Sequence, residues 1–253
     1  MSLIKKIIIG VFIYLIFMVV YIPANWVVGI APLPNNIKIS GVTGTLWQGS
    51  ADLVSVDRRL IEQVKWDLNP WALLIGAANV DLQIGSRATP VSGQGDISWS
   101  MSGISAENLR FEAPNQFLLG NARLPFRTKI EGDVSLIVER LEQGEPWCEQ
   151  LSGKLFLNRI DVKNQFGEYP LGDIALGLSC VDGMVQLNTD DTMNTMGIEG
   201  VASLGENNRF SVSAKIKPTP EQPEDLTQAL SFLGKQDSQG YYPINYNGVI
   251  PGL

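Results

Sequence analysis

The sequence predicts an all-β domain behind one membrane-spanning helix. From residue 37 onward, apolar and polar residues alternate in short segments, which is the pattern of half-buried strands. The long helices that would connect parallel strands are missing, so we expect the strands to pair antiparallel. A single uninterrupted apolar run lies before the alternating segments, from Ile7 to Ile22.

The apolar run from Ile7 to Ile22 predicts a membrane anchor. As a helix it spans about 24 Å, close to the roughly 30 Å of a bilayer's hydrocarbon core. Lys5 and Lys6 precede it, and cationic residues stay on the cytoplasmic side. We therefore expect a cytoplasmic N-terminus over residues 1–6, a transmembrane anchor over 7–24 and an extracytoplasmic β-rich domain over 25–253. A cleaved signal peptide is the alternative, although YIPANWVVG lacks a clean small-x-small cleavage site.

The segment GTLWQG, which begins at Gly44, raises a choice between a ligand-binding loop and a strand. The glycines of a phosphate-binding loop are followed by a helix, whereas the strand-like ADLVSV follows here. We therefore expect Gly44 to open a strand, with Leu46 on the apolar face and Trp47 on the opposite face. An exposed Trp47 is then the candidate residue for an interface with another protein.

Strands with apolar residues at every second position follow along the chain, among them NVDLQIG, GDISWSM, IEGDVSLIV, DIALGLSC and RFSVSAKIK. Several open on a Gly-x-apolar unit, at Gly44, Gly95, Gly132, Gly153, Gly183 and Gly200. These glycines have no fixed spacing, so they indicate turns or bulges rather than a strict repeat. About a dozen such strands with one apolar face form a sheet that must curl or fold over to bury that face.

Two short helices are predicted to interrupt the strands. In the first, Asn69 is the N-cap, Pro70 occupies the first turn and Gly76 ends the helix. The second covers PEDLTQALSFLGK, where apolar residues recur at helical spacing before Gly234.

Residue types that are absent or scarce narrow the function. The chain has no histidine, which removes Ser-His-Asp and Cys-His catalysis and histidine-ligated metal sites. Its net charge of −7 does not favour nucleic acid. The paired carboxylates Asp190 and Asp191 fit a solvated turn better than a catalytic pair. We therefore expect no enzymatic activity, no cofactor, no metal and no nucleic-acid partner.

The two cysteines, Cys148 and Cys180, predict a single disulfide in an oxidising compartment. Two free buried thiols are the alternative, and a redox role would normally show a C-x-x-C motif. The aromatic residues are interpreted as core rather than as the lining of a groove. They are Trp47, Trp66, Trp71, Trp99, Trp147, Tyr241, Tyr242 and Tyr246.

In their order along the chain, these segments resemble the family of type II secretion system protein N, the general secretion pathway N component of Gram-negative bacteria. The resemblance covers the anchor, APLPNNIKISGVTGTLWQGSADL, VKWDLNPWALLIGAANVDL, PWCEQLSGKLFLN, LGLSCVDGMVQL and GYYPINYNGVIP. It implies a single-pass inner-membrane protein with residues 25–253 in the periplasm. It also implies a non-enzymatic accessory or structural component that supports, with other subunits of the system, export of folded proteins across the outer membrane. No catalytic residues belong to this family.

The unit VKWDLNPWALLIGAANVDLQI is also similar to a recurring element of AsmA-like and TamB-like periplasmic proteins. That resemblance implies a long curved sheet whose apolar groove contacts lipid, which is the alternative function. The two functions differ in one structural feature. Strand faces closed on each other like a sandwich leave no room for acyl chains, whereas an open trough leaves apolar surface uncovered.

Overall fold

A long apolar helix precedes one large antiparallel sheet in the computed structural model, which describes residues 3–34, 36–57, 59–86, 88–120, 128–165, 167–189, 197–220, 222, 226–227, 230–231 and 234–249. The helices are α1 (Leu3–Val20), α2 (Ala24–Ile30), α3 (Pro70–Leu73) and α4 (Asn115–Leu119). The first seven strands are β1 (Ile37–Ser40), β2 (Thr43–Gly44), β3 (Gln48–Val56), β4 (Arg59–Asn69), β5 (Ala78–Ile84), β6 (Ser92–Ser100) and β7 (Gly103–Pro114). The other seven are β8 (Lys129–Gln143), β9 (Cys148–Asn164), β10 (Gly167–Val181), β11 (Met184–Thr189), β12 (Ile198–Leu204), β13 (Arg209–Ile216) and β14 (Tyr242–Val249).

Each strand from β3 to β13 pairs antiparallel with the next strand in the sequence, and both β1 and β2 lie alongside β3. The sheet is therefore a meander with β1 and β14 at its two edges. Within the described residues these edges do not pair, so the sheet is open rather than closed. This arrangement confirms the predicted all-β, antiparallel class, with fourteen strands described where about a dozen are predicted.

Cross-strand register gathers the apolar residues on one face of the sheet. One row runs through Val64, Ile84, Gly93, Phe111, Leu136, Leu155 and Leu176, each directly opposite the next. A second row runs through Val138, Gly153, Leu178, Leu187, Ala202, Val212 and Tyr246. We call the surface that carries these rows the apolar face. No second sheet covers it in the described part of the chain, and most of its large side chains are only half-buried.

Two of the glycines predicted at turns or bulges are confirmed there, Gly183 and Gly132, whereas Gly200 lies within β12 in unbroken register. Gly183, with φ of 76°, follows Asp182, with φ of 52°, in the two-residue turn between β10 and β11, and two positive φ values are what such a hairpin turn requires. Gly132, with φ of 121°, lies at a register shift between β8 and β9. A bulge bends its strand and increases the local twist, so a shift of this kind curves the sheet.

The first predicted short helix is confirmed as α3. The Asn69 side chain accepts a hydrogen bond of 3.0 Å from the main-chain N–H of Trp71, and Gly76 has φ of 77°. Most of the second predicted helix falls on residues outside the described set, although Leu226 and Thr227 are helical. Neither α2 nor α4 is predicted from the sequence, and each of them follows a proline with extended backbone.

Charged groups gather around Tyr241, which leads into β14. The Tyr241 hydroxyl donates a 2.5 Å hydrogen bond to Glu199 Oε1, and Lys215 Nζ lies 4.2 Å from the centre of the ring, with Lys217 Nζ at 4.9 Å. Asp237 Oδ1 accepts a hydrogen bond of 2.9 Å from the Tyr241 main-chain N–H. The hydrogen bond from the Tyr241 hydroxyl lowers the pKa of Glu199, and the hydrogen bond from Lys215 lowers it further. The main-chain N–H of Tyr241 lowers the pKa of Asp237.

These lowered pKa values predict that acid loosens the segment before β14. A carboxyl group whose pKa is lower in the folded chain than in the unfolded chain stabilises the fold at any pH above its unfolded pKa, which is about 4. That stabilisation is lost as the pH falls through the folded pKa. We expect the Tyr241 amide to remain protected down to about pH 4 and to lose protection below it. Hydrogen exchange corrected for intrinsic rates measures this change. Equal protection at about pH 5 and about pH 3 would refute it.

Candidate functional site: the anchor junction and the apolar face

The segment GTLW forms a turn that joins α1 to the sheet. The main-chain N–H of Leu46 donates a 2.9 Å hydrogen bond to the carbonyl of Ile22. The indole N–H of Trp47 donates one of 2.9 Å to the carbonyl of Val19. Val19 lies in the last turn of α1, where carbonyls have few partners within the helix, and Ile22 follows the helix end. The turn therefore attaches the sheet to the last turn of α1 and to the residues just after it. We call this contact, formed by Val19, Ile22, Leu46 and Trp47, the anchor junction.

The expectation that Gly44 opens a strand through Leu46 and Trp47 is wrong. Gly44 ends β2 with φ of 85°, and Leu46 and Trp47 form the bend between β2 and β3. The positive φ of Gly44 suits the reversal of the chain at this point. Gly49 allows the Trp66 ring to lie against the hairpin, since a Cβ at that position would lie 2.3 Å from the ring. Trp47 is half-buried against the helix end rather than fully exposed. Its role in contacting another protein remains a prediction.

Strand β4 also holds this turn in place, through two hydrogen bonds to its carbonyls. The indole N–H of Trp66 donates a 3.1 Å hydrogen bond to the carbonyl of Leu46, and the N–H of Leu68 donates one of 2.6 Å to the carbonyl of Trp47. Sequence reasoning missed the role of Trp66. Its position two residues before Leu68 in an alternating strand indicates only its face, and the partner carbonyl lies 20 residues away in the sequence.

Two cavities open on the apolar face. One of about 360 Å³ adjoins the anchor junction and is lined by Leu46 and by side chains of α2, β1, β3 and β4, including Val27 and Trp66. A second of about 210 Å³ lies over β5 to β8, beside Leu82 and Phe111. The described strands therefore leave an open apolar surface that begins beside the end of α1. This is the open-trough arrangement rather than the closed sandwich.

The opposite face of the sheet carries ion pairs. Arg140 Nη2 lies 3.4 Å from Glu107 Oε1, and Lys163 Nζ lies 2.9 Å from Glu168 Oε1. The hydrogen bond to Glu168 raises the pKa of Lys163, and this effect outweighs the lowering of that pKa by desolvation. These side chains are well exposed, so the pairs contribute little stability and mark a solvated face.

The predicted disulfide between Cys148 and Cys180 is present, with the two Cα atoms 6.1 Å apart. It joins the start of β9 to the end of β10. Beside it, the indole N–H of Trp147 donates a 2.7 Å hydrogen bond to the carbonyl of Gly205, and the main-chain N–H of Trp147 donates one of 3.1 Å to the carbonyl of Gly183. The disulfide thus belongs to a cluster that holds three hairpin turns at one end of the sheet.

Asp190 and Asp191 lie outside the described residues. Within the described residues, no three acidic or cysteine side chains group closely enough to hold a metal ion. Trp71, Trp99 and Tyr246 are exposed, although all three are expected in the core. The reason is that the sheet remains one layer, so nothing packs over these positions.

Residues 35–245 match the family model described as type II secretion system (T2SS), protein N. Similar proteins named type II secretion system protein N occur in Aeromonas hydrophila, at 34% identity over 94% of each chain, and in Vibrio cholerae, at 31% identity over 91% of this chain and 92% of the other. One from Pectobacterium carotovorum is 23% identical over 93% of this chain and 92% of its own length. No solved structure matches the chain. The chain therefore belongs to the type II secretion system protein N family.

Proposed function

We propose that this chain is a non-enzymatic inner-membrane component of the type II secretion system that supports export of folded proteins across the outer membrane. In this proposal α1 crosses the membrane once, residues 1–6 lie in the cytoplasm and the sheet lies in the periplasm. Other subunits of the system contact the apolar face and Trp47. The single observation that carries the proposal is family membership over 35–245, and the geometry of the anchor and the sheet adds to it.

Three features of α1 support the anchor. The helix is long and apolar enough to cross a membrane, and none of its described side chains is buried against the rest of the chain. A core helix of the same composition would be buried. Lys5 and Lys6 at its start favour a cytoplasmic N-terminus. Trp47 bonds to the last turn of the helix and Leu46 to Ile22 just after it, an attachment that a signal sequence removed by cleavage would not need.

A secretion assay tests the proposal. In cells that lack this chain, we expect a secreted enzyme of the system to accumulate in the periplasm, and the wild-type gene to restore it to the medium. A version whose α1 is replaced by a cleavable signal peptide serves as the matched variant, and we expect it to restore secretion poorly because it is not anchored. A periplasm-specific reporter fused after Leu253 should be active. Normal secretion without the chain, or an inactive reporter, would contradict the proposal.

The cavity beside the anchor junction favours a second candidate, a lipid-contacting groove. Its volume of about 360 Å³ lies within the range of small-molecule sites, and its lining is apolar. It adjoins the end of a membrane helix, where acyl chains are at hand. An acyl chain held there would remain with the purified protein, and mass spectrometry of the chain after exhaustive lipid washing would detect it.

A further inference from the structure

One end of the sheet combines the anchor junction with a group of exposed apolar side chains. The turn at Leu46 and Trp47, helix α3 after the end of β4, and the turn between β6 and β7 all lie at this end, because Gln48 pairs with Asp67 and Ala78 pairs with Trp99. At about 4.8 Å per strand, α3 and the β6–β7 turn lie within roughly 20 Å of β3 along the sheet.

The apolar side chains at this end are exposed to an unusual degree. Leu74 is 78% exposed, Ile75 83%, and Met101 is fully exposed. Trp71 and Trp99 flank them and are also exposed. The stretches 70–78 and 99–104 contain no charged residue. A contiguous exposed patch of this kind marks a membrane or protein contact. We call these five residues the membrane patch.

The remaining turns at the same end of the sheet differ in composition. The β8–β9 turn carries Glu145, the β10–β11 turn carries Asp182 and the β12–β13 turn carries Glu206, all of them exposed. Carboxylates are repelled by the anionic surface of a bacterial membrane and are costly to bury in it. The turns next to the anchor are apolar, and the turns farther from it are acidic. This distribution is what we expect if only the first strands of the sheet contact the membrane.

We propose that the membrane patch inserts into the interfacial layer of the bilayer that α1 spans. Tryptophan rings favour that layer, and Leu74, Ile75 and Met101 reach the acyl boundary beneath it. Two attachments then hold the domain: α1 through the membrane and the patch on its surface. The apolar face, which starts at the junction between them, opens directly at the bilayer surface. This proposal rests on the membrane anchor of the proposed function.

The test places an environment-sensitive fluorophore on the patch of the full chain. The variant Ile75→Cys is labelled with a nitrobenzoxadiazole dye and reconstituted into phosphatidylethanolamine and phosphatidylglycerol vesicles with or without brominated acyl chains. Asn207→Cys, in the exposed β12–β13 turn, is the matched control. We expect a blue shift and about a two-fold loss of fluorescence in brominated vesicles for position 75, and neither change for position 207. Circular dichroism confirms that both labelled chains are folded.

Three results would overturn the proposal. They are no quenching at position 75, equal quenching at both positions, and protection of position 75 only when other secretion subunits are added, which would make the patch a protein contact. Flotation of the vesicles separates this proposal from the anchor itself. A chain that floats with the vesicles but is not quenched at position 75 retains the anchor and refutes the patch. A chain that does not float refutes the anchor.

Discussion

Replacing either cysteine with alanine is expected to lower the free energy of unfolding by about 3–4 kcal/mol, in line with the loop-entropy model for a bridge across a sequence separation of 32. The unfolded chain gains freedom when the loop between Cys148 and Cys180 is no longer closed. Cys148 is 2% exposed, so alanine is preferred to serine because it leaves no buried hydroxyl without a partner. Urea unfolding of the detergent-solubilised chain, followed by circular dichroism, measures the change.

The double variant Cys148→Ala, Cys180→Ala is the decisive control for this prediction. Both single variants lose the same bond, so the double variant should be no less stable than either one. Reductant should bring the wild-type chain to a similar stability while leaving the variants unchanged. Losses that add in the double variant would show that packing at the two positions, rather than the disulfide, stabilises the sheet.

Replacing Trp66 with alanine is expected to destabilise the anchor junction by about 3 kcal/mol, the lower part of the range for a large core truncation, because the ring is part-buried. The ring lines the cavity beside α2 and lies over Gly49, and its N–H satisfies the Leu46 carbonyl. Trp66→Phe keeps most of the ring and removes only the donor. It should therefore cost about 1–2 kcal/mol, as expected for a partly buried carbonyl that loses its partner.

Trp99→Ala is the matched control for the Trp66 variants. Trp99 also lies on a strand near the same end of the sheet but is 66% exposed, so its loss should change stability by less than about 0.5 kcal/mol. Thermal melts of the four purified chains make the comparison, and limited proteolysis near Ala24 reports on the junction itself. Equal losses from Trp66→Ala and Trp99→Ala would contradict the account of the junction.

The regular parts of the fold follow from local rules that the sequence displays. Period-two alternation places Leu136 and Leu155 on one face, and the Asp182–Gly183 pair specifies a tight hairpin turn. Asn69, Pro70 and Gly76 define α3 for equally local reasons. Antiparallel pairing with the next strand then needs only short connections, so the meander follows from the spacing of the strands.

The anchor junction was not predictable in the same way, because its partners are distant in the sequence. The Trp47 indole N–H donates its hydrogen bond to the Val19 carbonyl, 28 residues earlier in the sequence. A pattern of consecutive residues cannot show that these two groups lie together. Exposure at Trp71 and Trp99 also escapes local rules. An aromatic residue in or beside a strand is normally covered by a second layer. These rings stay uncovered because the described sheet remains open and one layer thick.

The most direct test of the central claim, that the uncovered apolar face is the working surface of this secretion component, compares two adjacent residues of β8. Leu136 lies on the apolar face opposite Phe111 and Leu155, and Ile137 points to the other face. A photo-crosslinking amino acid at position 136 in living cells should capture another secretion subunit, or a phospholipid if the groove function holds, and the same group at 137 should capture neither. No adduct at 136, or the same adducts at both positions, would contradict the account.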